Sequence, residues 1–210
     1  FAKLTASQAV ALTFRTDCVF ALDLAPPDVR DTKLRESLRS IDAKDIRVRP
    51  PAQDAPVVVV LDTGIATKHP LLAPALLSAV TGGPELASVE DRAGHGTNMA
   101  GLALYANLGA VVKGGEFDAP HWIASAKVLE NENSKTAAEE NYPLWSALTH
   151  GAVTKSEAAD QQERNRVFAL AVTASMQTPG AAICESTLWS HCLEQLAYNG
   201  GVGRLMVVAA

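Results

Sequence analysis

Cysteine is scarce in this chain. Three occur among 210 residues, Cys18, Cys184 and Cys192, an odd count without metal-ligand spacing. This argues against a disulfide scaffold and leans towards a reducing, cytoplasmic compartment. No apolar run approaches the roughly 20 residues of a membrane-spanning helix, so no membrane partner is expected. Lys and Arg never form a run, and 18 of them stand against 23 Asp and Glu for a net charge of −5. A nucleic-acid partner, which needs concentrated positive charge, is not expected either. His69, His121, His150 and His191 are scattered without metal-ligand spacing, and no Asp/Asn-rich loop resembles a calcium cage of the EF-hand kind. No cofactor is therefore assigned.

What is present suits a packed protein: 48% of residues are hydrophobic and 20% charged, too apolar for intrinsic disorder. Phe1 rather than Met opens the chain, so it reads as a processed, trimmed or excerpted piece. Residues 1–55 have one texture. An alternating apolar segment at Cys18–Leu22 precedes a charged stretch in which Leu34, Leu38 and Ile41 fall at helical spacing. Arg49 to Pro56 reads as an extended linker, because its prolines remove donors and disfavour helix before them. This part is an N-terminal extension of unassigned role: a pro-segment, a docking extension or an added edge strand.

From Pro56 the texture changes to short apolar runs alternating with helical stretches. Val57–Leu61 is a β-branched run bounded by proline and by Asp62-Thr63-Gly64, hence a buried strand. Helices are expected at Asn98–Asn107, from Leu144 to about Glu163, and over Leu188–Leu196, the last closed by Asn199-Gly200-Gly201 as a left-handed cap. Further strands are expected at Ile123–Leu129, Val167–Val172 and Leu205–Val208. This alternation predicts an α/β fold, a mostly parallel sheet with helices on both faces. Chemistry in such sheets gathers beyond the carboxyl ends of the strands, where Asp62 falls.

A carboxylate at the end of a buried strand needs a partner. Gly94-His95-Gly96-Thr97-Asn98-Met99-Ala100-Gly101 supplies a candidate. Its flanking glycines allow close backbone approach on both sides of the imidazole, and Ala100 and Gly101 let the following helix press on the sheet. Asp-Thr-Gly-Ile with His-Pro soon after, then His-Gly-Thr-x-x-Ala-Gly, resembles the first two catalytic blocks of subtilisin-like serine peptidases, the subtilase family. Ser125-Ala126-Lys127-Val128-Leu129 is similar to the family strand that precedes a substrate-lining loop, and Val207–Ala210 to the strand that runs into Gly-Asn. The resemblance covers about residues 56–210.

The resemblance implies a serine endopeptidase acting on peptide or protein substrates, with Asp62 and His95 catalytic and Ala171, Val172 and Thr173 at the substrate-binding positions. The family more often has Ser-Leu-Gly there, so a β-branched threonine in place of glycine alters the primary pocket. Relatives often bind structural calcium, but no motif here carries it over. The family's nucleophile lies in Gly-Thr-Ser-x-Ala, whereas the Gly-Thr of this chain is Gly96-Thr97, followed by Asn98. Ser175 and Ser190 lie outside any nucleophile motif. Residues 56–210 therefore read as a catalytic domain truncated, and incomplete at the C-terminus, before the serine; the fragment alone is expected to be inactive. Two other readings compete. One is a peptide-binding pseudoprotease that pairs an edge strand near Ala171 with an extended ligand. The other is an aspartic peptidase, which would need a second Asp-Thr/Ser-Gly that the chain lacks.

Overall fold

The computed structural model describes residues 43–105, 108–109, 111, 115–130, 142–171 and 188–209. The segment at Cys18–Leu22 and the helical spacing of residues 34–41 lie outside them.

A five-stranded sheet is built around the Val-rich run. Strand β2 (Val57–Asp62) is flanked by β5 (Trp122–Lys127) and β6 (Arg166–Leu170), and β3 (Leu76–Thr81) and β7 (Leu205–Val208) close the order β3-β5-β2-β6-β7. Every pairing in this sheet is parallel. A central parallel strand is covered on both faces, so it needs a continuous apolar run rather than alternation. Val57, Val59, Val60 and Leu61 are accordingly all 2% exposed or less, each contributing about 1.5–3 kcal/mol by leaving water.

The two-residue period divides these side chains between two cores. Val57, Val59 and Leu61 join Phe168, Leu170, Trp145, Val153 and Leu196 on one face, under helices α2 (Tyr142–Ala158) and α3 (Leu188–Tyr198). Val60 and Ile123 join Ala100, Leu104 and Tyr105 of α1 (His95–Tyr105) on the other, together with Ile46, Leu71 and Leu72. The expected α/β architecture with helices on both faces is the one observed.

Three strands escaped the sequence reading. β3 is half-buried along its whole length, with a bulge between Leu76 and Ser78, so Leu-Leu-Ser-Ala-Val-Thr shows no period; pairing with β5 makes it a strand. The short β1 (Arg47–Arg49) and β4 (Glu116–Asp118) pair parallel with each other, and Arg49 bridges to Asp118 at 2.8 Å. One expectation is corrected. The strand before Ala171 is not an edge: β6 is bonded by β2 on one side and β7 on the other. Its backbone groups are already paired with neighbouring strands, so an extended ligand could add only beyond Leu170.

Helix limits also moved. α1 starts at His95 rather than Asn98, because Gly94 O accepts the Asn98 amide at 3.1 Å. α2 stops at Ala158 rather than near Glu163, where Asp160 turns the chain by accepting the Gln162 amide. α3 ends as expected: Asn199, Gly200 and Gly201 all have positive φ, and Arg204 N reaches Ala197 O at 2.7 Å.

Candidate active site

Asp62 is the last residue of β2, 1% exposed, and His95 is the first of α1. Their side chains meet. His95 Nδ1 lies 2.9 Å from both carboxylate oxygens of Asp62, and the Thr63 amide donates to Asp62 Oδ1 at 2.6 Å. Burial pushes the Asp62 carboxyl above its ordinary value, against the hydrogen bonds from His95 and Thr63, which favour the anion. With Nδ1–H given to Asp62, a neutral imidazole carries its lone pair on Nε2, the tautomer that a general base requires.

Glycine makes the approach possible. A Cβ on Gly96 would stand 2.2 Å from Gly64 O and 3.2 Å from Asp62 Cβ. Gly64 itself has φ +107, and its own Cβ would meet Val89 O at 2.4 Å. The turn after β2, the start of α1 and the segment before it therefore touch backbone to backbone.

Asp91, which the sequence reading passed over, holds this junction. Its Oδ1 accepts from Thr63 Oγ1 at 2.9 Å, Gly94 N at 2.8 Å and Ala93 N at 3.1 Å. Its Oδ2 accepts from the amide and hydroxyl of Thr97 at 2.8 and 2.7 Å. Thr63 Oγ1 in turn accepts the Gly96 amide at 2.9 Å. These bonds satisfy open N–H groups in the first turn of α1, the work of a helix cap done from a distance. Partial burial alone would raise the Asp91 carboxyl, but the Thr97, Gly94 and Thr63 bonds outweigh it and hold the group below its ordinary value. The available signal was an aspartate just ahead of a helix start. Lys127 was likewise unremarked beyond its motif, although a lysine inside an apolar strand is rare. It is fully buried.

The substrate positions divide. Ala171 follows β6 and donates its amide to Leu61 O at 3.3 Å; Val172 and Thr173 lie outside the described residues, as does Ser175. Ser190 is in the first turn of α3, which packs on the sheet face opposite α1. Among the described residues no group of three or more His, Cys, Asp or Glu is placed to hold a metal ion.

The arrangement is that of an α/β protein in which a buried carboxylate meets an imidazole at the carboxyl edge of a parallel sheet. The family is specific: the subtilase family model matches residues 53–210, and the chain belongs to that family of serine peptidases. Neither the curated proteins nor the solved structures gave a match.

Proposed function

We propose that the chain is the Asp- and His-bearing part of a subtilisin-type serine endopeptidase that hydrolyses peptide bonds in peptides or proteins. The observation that carries this is the contact of His95 Nδ1 with both oxygens of buried Asp62, 2.9 Å each. In this reading His95 takes the proton of a serine hydroxyl as it attacks the peptide carbonyl, then returns it to the leaving amine. Asp62 holds the tautomer and stabilises the imidazolium. An imidazole as the partner of Asp62 favours this over a carboxylate dyad.

The nucleophile and the oxyanion-binding asparagine of the family have no counterpart in the 210 residues. In subtilisin itself, loss of the serine lowers turnover by about 10⁶. The purified 210-residue chain is therefore expected to leave peptide substrates intact. Extended through a Gly-Thr-Ser-x-Ala segment, the polypeptide is expected to react with a fluorophosphonate at that serine, and His95→Ala to abolish the labelling. Cleavage by the 210-residue chain that disappears on His95→Ala refutes the inactivity. Labelling that is indifferent to His95→Ala refutes the triad.

A further inference from the structure

Lys127 is among the largest fully buried side chains of the described residues, at 0% exposure. It ends β5 as the register partner of Asp62 on β2, and the strand period puts it on the same sheet face as Asp62, the α1 face of Ile123 and Val60. Burying an ammonium is expensive unless it is paired and hydrogen-bonded, and a neutral residue would fill the space at less cost. Its partners give the reason for a lysine. Nζ donates to Glu90 O at 2.9 Å and to the Glu130 carboxylate at 3.0 Å.

Glu90 O belongs to the segment that leads into Asp91. On one side, that segment is already fastened to the chain after β2: Ile65 N donates to Val89 O at 3.1 Å, and Asp91 N donates to Ile65 O at 3.3 Å. The intervening carbonyl goes to Lys127. Three successive residues are thus gripped from the chain after β2 and from β5 together, and the last of them carries the carboxylate that caps the His95 helix.

We propose that Lys127 is a positioning residue for the Asp62–His95 pair: its ammonium locks Val89–Asp91 across the ends of β2 and β5, and Asp91 passes that placement to the first turn of α1. This rests on the reading of Asp62 and His95 as a working pair. The charged groups on the segments that meet at the imidazole are Asp62, Glu90, Asp91, Arg92 and Lys127, with Glu130 paired to Lys127. Loss of the lysine charge alone would raise the titration midpoint of His95, because a nearby cation disfavours imidazolium. Loss of positioning lowers it, because the carboxylate partner slips away. The two accounts differ in sign.

The experiment is a ¹H–¹⁵N NMR titration of His95 in the 210-residue chain, following also its Nδ1 proton. Lys127→Met is expected to lower the midpoint by about one pH unit and to broaden the Nδ1–H resonance beyond detection. Val153→Ala, a packing loss on the opposite face, is expected to change neither. A midpoint that stays or rises in Lys127→Met overturns the proposal, as does an equal fall in Val153→Ala. Should Lys127→Met not fold, Lys127→Gln, which keeps a donor too short to reach Glu90 O, is read by the same rule. Asp62→Asn separates the two levels. If it leaves the midpoint unmoved, the pair itself fails; if it lowers the midpoint while the Lys127 variants do not, the pair stands and the role of Lys127 falls.

Discussion

Thr63, Ala93, Gly94 and Thr97 all donate to the one side chain of Asp91, and their convergence has a pH signature. A carboxyl held below its ordinary value gives stability that is complete above the unfolded value of 3.8 and is lost as pH falls through the lower folded value. Asp91→Asn is expected to cost about 2 kcal/mol at pH 7, the price of amides and hydroxyls left short of an anionic acceptor. The gap from the native chain should close as pH drops below 3.8. Urea unfolding of both proteins at neutral and at acid pH checks this; a gap independent of pH rejects it. Asp62 acts in the opposite sense. Its raised value means that stability falls as pH rises from 3.8 towards the folded value, so the anion that would orient His95 is kept at the expense of the fold. Asp62 and His95 were legible as residues, because each sits in a distinctive short motif. Asp91 was not, since an aspartate before a helix is common and its donors are scattered over residues 63–97.

Helix α2 shows how an element's placement can reverse a propensity. Gly151 lies in its middle, where alanine normally stabilises by about 1 kcal/mol. Here a Cβ would stand 2.2 Å from Gly82 O, a backbone atom, in the turn after β3. Gly82 is itself tied to Lys127 O at 2.8 Å, and Lys155 of α2 donates to Thr81 O at 3.0 Å, so the turn has little room to retreat. Gly151→Ala is expected to destabilise by about 1–3 kcal/mol, with no loss of helix content by circular dichroism. A gain in stability would show that α2 can shift off the turn. The same packing explains the missed strand. β3 depends on pairing with β5 for its conformation, and its own residues, half-buried on both faces, carry no period to announce it. β2, buried on both faces, announces itself by composition alone.

At the scale of the described region, an ionic cluster ties together the amino-end approaches to two strands, β2 and β6. Asp160 and Arg164, 5% and 6% exposed at their side chains, pair with each other, and Arg166 joins Asp160 at 2.7 Å. Arg164 Nε reaches across to Gln53 O at 3.0 Å, so the approach to β2 and the approach to β6 are tied together. Removing one partner of a buried ion pair leaves uncompensated charge. Asp160→Ala is expected to cost about 3–5 kcal/mol, measured by denaturant unfolding. A cost below 1 kcal/mol would mean that water already screens the arginines.

The sequence by itself determined the fold class, through β-branched runs alternating with helical spacings, and it singled out Asp62 and His95 through short motifs that resemble those of the family. These are near-neighbour properties, written in consecutive residues. Only the tertiary structure decided that β6 is internal, that Asp91 caps the histidine's helix and that the Lys127 ammonium reaches Glu90 O. Each of these depends on hydrogen bonds between residues far apart in the chain, whose geometry exists only once the sheet has brought them together.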